Sequence, residues 1–315
     1  MYLPYLRARQ FELIALRELV EKELIGNRIL PIIEPIKLSS TLIKTIEAFI
    51  NKDKKIVIIH NPKVGDFLEE IRDEYKRERF KRILENRNVI IGHIINNNSK
   101  EELEKLMQDG LEEILIINNN INYLNTYGEI ALEMQPIYTL IPDESLFRRK
   151  SKGNKILLAD RFNKKDRNSD YSDTEDEVFT EDHLYYMDEG YDGFSDYSII
   201  GSNFSESGFA PYAVALHIVY FDEDNVLRIK HFVSDSNEDI RNPAGKFYEA
   251  ISKLNEWKYN EKSNSTALQE LKEYYKSEGY PGLGTAKKLS LMHHLEILSR
   301  YLDGVNNYDL LWKLF

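Results

Sequence analysis

Lys55-Ile56-Val57-Ile58-Ile59-His60 decides the fold. Four consecutive β-branched residues leave no polar face, and a strand apolar on both faces belongs in a parallel sheet covered on both sides. Parallel strands need crossover connections, so helical patterns are expected on either side of it. Upstream, Ser39–Ile50 reads as a helix opened by a Ser cap, and Ile29–Ile36 before it reads as a strand. Earlier still, Leu13, Leu16, Val20 and Leu24 recur at helical spacing over Phe11–Leu24, which Gly26-Asn27 ends, and Leu3–Leu6 is a first strand. Downstream, Val64–Glu85 is a charged helical segment and Asn88–Ile95 a strand. Ser99–Asp109 is a helix with Ser99 as cap and Glu102 at the capping-box spacing. Glu113–Ile117 is a strand, Asn120–Ala131 a short helix, and Met134–Ile141 and Lys155–Ala159 are further strands.

That makes seven strands by Ala159, and Tyr197–Ile200 supplies an eighth. Eight such units closing on themselves form a TIM-type barrel; a doubly wound open sheet is the competing architecture and needs no eighth strand. The expected fold is therefore α/β, a TIM-barrel-like parallel barrel in one domain over residues 1–315. It carries an acidic Tyr-rich insertion at 164–196, long enough to lie over one face as a lid. A β-hairpin follows, Tyr212–Phe221 and Val226–Val233 around Asp222-Glu223-Asp224-Asn225. The helical part at 240–315, with helices over Pro243–Tyr259, Ser265–Ser277 and Thr285–Leu302, is expected to pack on the barrel.

Composition narrows the chemistry. With 315 residues, 42% hydrophobic, 20 Tyr and 14 Phe, the chain can build a large core. No cysteine is present, which excludes disulfides, thiol nucleophiles and Cys-ligated metals. A net charge of −11, from 42 Lys+Arg and 53 Asp+Glu, argues against non-specific nucleic-acid binding. Neither a signal-peptide pattern nor an apolar run of membrane-spanning length is present, so a cytoplasmic, membrane-free location is expected.

The opening string Tyr2-Leu3-Pro4-Tyr5-Leu6-Arg7-Ala8-Arg9-Gln10-Phe11-Glu12-Leu13-Ile14-Ala15-Leu16 resembles the start of the phage beta-protein-like family, and Ile32-Ile33-Glu34-Pro35 resembles that family's second-strand Glu-Pro element. Asp196-Tyr197-Ser198-Ile199-Ile200-Gly201, followed by Ser207-Gly208-Phe209-Ala210-Pro211-Tyr212, resembles a bacterial branch of phage-immunity proteins. The resemblance runs from residue 1 to about residue 300. It implies a barrel-like fold, a role in phage defence and a nuclease-like partner encoded nearby. It brings no catalytic set with it, and no cofactor is implied.

Ligands of a parallel barrel bind at the C-terminal ends of its strands. The polar residues expected there are Arg7, Arg9, Glu34, His60, Asn61, His93, Asn118, Asn119, Asp160 and Arg161. Guanidinium groups grip a phosphorylated or phage-derived anion, while a carboxylate or imidazole moves a proton. Glu34, His60 and Asp160 are thus the catalytic candidates, and Arg7, Arg9, Asn61, His93, Asn119, Arg161 and Asp196 the ligand-binding ones. Each alone also has an ordinary reading as the polar end of a strand. Glu34 interrupts an apolar strand, and Arg7 or Arg9 on the neighbouring strand is its natural partner. Glu34, Asp160 and Asp196 together offer the oxygens that Mg²⁺ prefers, with no spacing signature to support it.

Weaker signals follow. The acidic insertion also reads as a solvated loop or a lure for a basic partner. Gly282-Leu283-Gly284-Thr285-Ala286-Lys287-Lys288 opens a helix and suits a phosphate or a simple cap, and the loop Ser202–Gly208 suits closure over a pocket. His293 and His294 are adjacent, so one helix points them about 100° apart and they cannot share an ion. Without a His-Glu-x-x-His or clustered histidine motif, zinc is not expected. Three functions compete: a ligand- or partner-recognising barrel of phage defence, a barrel enzyme acting on a phosphorylated or nucleotide-like substrate, and a purely structural interaction module that uses the acidic Tyr-rich insertion.

Overall fold

The computed structural model describes residues 1–111, 113–205 and 211–312, with side chains to residue 304. It divides into two compact units instead of the expected single domain. The first is Met1–Gln10, Ile29–Asp160 and Asp182–Tyr197; the second is Phe11–Arg28, Arg161–Glu181 and the chain from Ser198 onward.

The first unit is a parallel barrel of eight strands. In chain order these are β1 (Tyr5–Leu6), β2 (Ile32–Ile33), β3 (Ile56–Ile59), β4 (Val89–Ile94), β5 (Ile114–Ile117), β6 (Tyr138–Ile141) and β7 (Lys155–Leu158). After β8 (Asp176–Thr180), which belongs to the second unit, β9 (Gly193–Ser195) completes the set. The eighth strand therefore lies earlier than expected, and Ser198–Ile200 forms a 3-10 turn. Each strand pairs with the next in sequence, β7 with β9. The ring closes where the Leu3 and Tyr5 amides donate to the Phe194 and Asp196 carbonyls at 2.9 and 2.8 Å, and the Phe194 amide donates to the Met1 carbonyl at 3.0 Å.

Alternate residues fill the interior: Leu3 and Tyr5, Leu30 and Ile32, Val57 and Ile59, Ile90 and Ile94, Leu115 and Ile117, Leu140, Ile156 and Leu158, and Tyr197. Each fully buried aliphatic side chain contributes about 1.5–3 kcal/mol, so this packing is the main source of the barrel's stability. The intervening residues face outward, as period-two geometry requires.

Helix α1 (Gln10–Glu21) follows β1, yet its body belongs to the second unit. The barrel's own helices are α2 (Ser40–Asn51), α3 (Phe67–Glu70), α4 (Glu74–Leu84), α5 (Ser99–Gln108), α6 (Leu124–Glu133), α7 (Ser145–Lys150) and α8 (Asp182–Tyr185). The Ser39 hydroxyl caps α2 by accepting from the Leu42 amide at 3.1 Å, as its sequence suggests. The charged stretch Val64–Glu85 forms two helices, α3 and α4, because Asp73 opens the second by accepting from the Lys76 amide.

The second unit holds β10 (Ala215–Phe221) and β11 (Leu227–Val233), the expected antiparallel hairpin. Strand β8 extends it on the β11 side. The insertion is thus not a lid-like loop. Two of its acids are structural: Asp176 takes the Arg228 guanidinium at 2.7 Å and the Tyr220 hydroxyl at 2.7 Å, and Glu177 faces His231 at 3.3 Å. Helices α9 (Pro243–Glu256), α10 (Thr266–Lys276) and α11 (Leu283–Trp312) complete this unit. Inside it, Lys288 meets Glu18 at 2.7 Å and Gly284 faces the Phe11 ring, so the glycine-lysine opening of α11 serves packing. No helix among the described residues is long and apolar enough to cross a membrane.

Candidate functional site

Five of the expected site residues share the interior-facing parity at the C-terminal rim of the barrel, Asn61 among them after Val57 and Ile59, and four of these gather at the mouth. Glu34 continues the inward row of β2, Arg7 that of β1, Asn119 that of β5 and Asp160 that of β7. Arg7 and Glu34 meet directly, Nε to Oε2 at 3.3 Å, with side-chain exposures of 15% and 3%. The Tyr5 hydroxyl donates to the same carboxylate oxygen at 2.9 Å, and the Lys63 amide donates to Oε1 at 2.8 Å. A buried carboxylate demands such donors, and here both oxygens have them.

The aromatic residue that completes the mouth is Tyr197, just past β9. Its ring lies 5.2 Å from the Arg7 guanidinium carbon and 5.0 Å from the Tyr5 ring. Burial, and then the Glu34 charge, push the Tyr5 phenol well above its ordinary pKa. Burial pushes Tyr197 up to about 12. Both phenols are therefore neutral donors at pH 7. Asp160 and Asn119 are exposed at the rim.

The other expected residues do not join this set. His60 and His93 are corrected from the mouth to the outer face of the barrel, because Val57, Ile59, Ile90 and Ile94 take the interior positions of their strands. Asp196 also faces outward, where the Tyr2 hydroxyl donates to it at 2.6 Å, so Glu34, Asp160 and Asp196 do not converge on a Mg²⁺. The Asn61 side chain pairs with the β4 backbone: its Nδ2 donates to the Ile94 carbonyl and its Oδ1 accepts from the Ile94 amide, both at 2.9 Å. Ala8, with a left-handed φ of 50°, turns the chain between Arg7 and Arg9 and ends the strand's alternation. Arg161 belongs to the second unit. In the loop Ser202–Gly208, and in the motif at Ser207–Tyr212, residues 206–210 lie outside the described residues.

On the outer face, the same end of the barrel carries a second polar cluster. The register Ile59↔Gly92 makes His60 and His93 the next neighbours across β3 and β4. Their Nε2 and Nδ1 atoms lie 2.7 Å apart, with ring centroids at 5.0 Å and planes differing by 22°, so the nitrogens point nearly at one another. His93 Nε2 is 2.7 Å from the Ser99 hydroxyl, which itself accepts from the Asn96 amide at 2.7 Å. Ser99 thus serves the His93 loop and does not cap α5 from its side chain, contrary to its capping-box spacing. Burial pushes His60 down to about 4, and burial with repulsion from His60 pushes His93 down to about 3. Glu102 on α5 stands 3.9 Å from His93 Nδ1, and its Oε2 accepts from Asn96 Nδ2 at 3.2 Å and Asn61 Nδ2 at 3.3 Å.

A cleft of about 750 Å³ opens at the opposite, N-terminal rim of β3 to β5. Six of its seven charged side chains are paired, Lys55 with Glu113, Lys81 with Asp109, and Arg87 with Asp53 at 3.0–3.1 Å. That rim supports stability more than chemistry in barrels of this kind.

Sequence reading missed Tyr5, Tyr197 and Lys63 at the mouth and Ser99, Asn96 and Glu102 outside it. Continuing the inward row of β9 past Ser195 finds Tyr197; no comparable signal marks the α5 residues. The architecture is that of a TIM-barrel-like α/β protein. No family model, curated protein or solved structure matches the chain.

Proposed function

We propose that this chain is a recognition barrel of phage defence that holds a small anionic ligand at its mouth without turning it over. The observation that carries this reading is the placement of Arg7, fixed at the strand ends between the Glu34 carboxylate and the Tyr197 ring. A guanidinium oriented in advance binds a phosphate or carboxylate with little further loss of freedom. Two of the three residues suited to proton transfer are disposed against turnover, while Asp160 stays exposed at the rim. Glu34 is committed to three donors, and His60 stands on the other side of the barrel wall. The phage-defence part rests on the N-terminal and Asp196–Gly201 strings, and with it comes a nuclease-like protein as the partner that acts on recognition.

The test combines binding with protection. Thermal shift and calorimetry are run with inorganic phosphate and with nucleoside mono- and diphosphates, on the wild type and on Arg7→Met. Cells expressing each form with the neighbouring genes are challenged with phage. At least one probe is expected to raise the wild-type Tm, with Arg7→Met losing that shift and the protection together. Absence of any shift, or equal binding and protection by Arg7→Met, overturns the proposal.

A further inference from the structure

We propose that His60, His93 and Glu102 form a binding site for one divalent transition-metal ion of the Zn²⁺ type on the outer face of the barrel, independent of the mouth.

Three elements deliver the ligands: His60 directly follows β3, His93 lies near the end of β4, and Glu102 lies on the first turn of α5. One donor atom from each falls within 4.8 Å of the other two. Two imidazoles and one carboxylate form the donor set of open Zn²⁺ sites, whose remaining position takes water or substrate. With metal–ligand distances near 2.1 Å and tetrahedral angles, ligand atoms sit about 3.4 Å apart. The 2.7 Å His60–His93 separation must open by about 0.7 Å, the 3.9 Å His93–Glu102 separation must close by about 0.5 Å, and the His60–Glu102 separation, within 4.8 Å, must settle at the same value.

The surroundings are those that orient metal ligands. A ligating histidine ordinarily donates its other ring N–H to an oxygen, and His93 Nε2 faces the Ser99 hydroxyl at 2.7 Å. A ligating carboxylate is ordinarily steadied by donors, and Glu102 takes the side-chain amides of Asn61 and Asn96. Binding removes no proton from the pair overall. Each neutral ring keeps one N–H, His93 on Nε2 and His60 on Nδ1, which leaves His60 Nε2 and His93 Nδ1 as lone-pair donors to the ion. The proton now shared between the rings moves to His60 Nδ1. His93 is wholly buried while Glu102 is about one-third exposed, so the open position faces solvent beside α5.

The experiment uses tag-free full-length protein stripped with chelator. Zn²⁺ alone is titrated calorimetrically, retained metal is counted after dialysis, and Co²⁺ is added to read coordination from its visible spectrum. The wild type is expected to bind one ion per chain, with a Co²⁺ spectrum of four- or five-coordinate form and a raised Tm. His93→Gln and Glu102→Gln abolish it, and Ser99→Ala weakens it about 10–100-fold, as loss of an orienting group does. Glu102→Gln, at a position one-third exposed, keeps the fold if the buried His93 variant does not. A second histidine pair, His217 and His231, faces across β10 and β11 with Nδ1 atoms 2.8 Å apart. No stoichiometric binding by the wild type, or binding unchanged in Glu102→Gln and moved instead by His217→Gln or His231→Gln, overturns the assignment.

Discussion

Arg7 Nε and Glu34 Oε2 meet at 3.3 Å across the neighbouring strands β1 and β2, and the Tyr5 hydroxyl reaches the same oxygen at 2.9 Å. The pair is nearly dry, so its parts are unequal in effect. Removing the carboxylate leaves an arginine, a phenol and the Lys63 amide without their acceptor; removing the arginine leaves a carboxylate that keeps two neutral donors. Glu34→Ala is expected to destabilise by about 3–5 kcal/mol, the range for breaking a buried pair. Arg7→Met is expected to destabilise less, because its long apolar side chain keeps the contact with Tyr197. Urea denaturation at pH 7 checks the order of the two; the reverse order means that the pair does not anchor the mouth.

His293 makes stability depend on pH. Wholly buried on α11, it donates from Nε2 to the Val219 carbonyl at 2.6 Å and accepts at Nδ1 from the Ser265 hydroxyl at 2.7 Å, while Ser265 also caps α10. Burial pushes its pKa from 6.5 down to about 4. The folded form then refuses a proton that the unfolded chain accepts. The associated stability is complete above pH 6.5 and falls away as the pH drops from 6.5 to about 4, by about 3 kcal/mol at the end of that window. His293→Gln is expected to reduce the slope of this part of the stability–pH profile measured by denaturant midpoints, to which the buried His60 and His93 also contribute. A profile of unchanged slope rejects the assignment to His293.

Gly284 in α11 has no room for a methyl group, since a Cβ there falls 2.1 Å from the Phe11 ring. Gly284→Ala is expected to destabilise by about 1–3 kcal/mol through overpacking. Phe11 is 37% exposed, so the Phe11→Ala change is itself mild and removes the obstacle. The double variant is expected to recover most of the loss, giving a coupling of about 1 kcal/mol or more in a mutant cycle. Additive losses would show that the helix opening is intolerant for a different reason.

How much of this is legible in the sequence depends on what each residue's neighbours reveal. The barrel is legible because its strands are apolar on both faces and its helices have caps. That same property hides the site. Ile56-Val57-Ile58-Ile59 has no polar alternation, so nothing in it tells that Ile59 faces in and His60 out. Glu34 is legible as a carboxylate requiring an arginine, because Arg7 ends the strand beside it. The hairpin and helices of the second unit are legible, but their gathering into a unit with α1 and β8 is not. The stripe of α1 shows that one face is buried without showing against what. Strand β8, Asp176-Glu177-Val178-Phe179-Thr180, reads as part of an acidic loop until Arg228 and His231 on β11 are seen to meet its charges.

Closure of the barrel rests on Gly193. Its strand β9 is only three residues long, and the seam it makes with the N-terminal segment is held by the amides of Leu3, Tyr5 and Phe194. A Cβ at Gly193 falls 2.7 Å from the Met1 carbonyl oxygen and 2.9 Å from Ile156 Cδ1. Ile156 can turn its terminal methyl, but the Met1 carbonyl cannot retreat, because it is the acceptor of the Phe194 amide. Gly193→Ala therefore sets one methyl group against a ladder hydrogen bond, and the seam must widen. Hydrogen exchange is expected to accelerate at Leu3, Tyr5 and Phe194 by at least the factor of about ten that 1.4 kcal/mol represents, while the amides of β3 to β5 change little. Equal acceleration around the whole ring would mean that the barrel opens only as a unit, and that β9 is not its weak join.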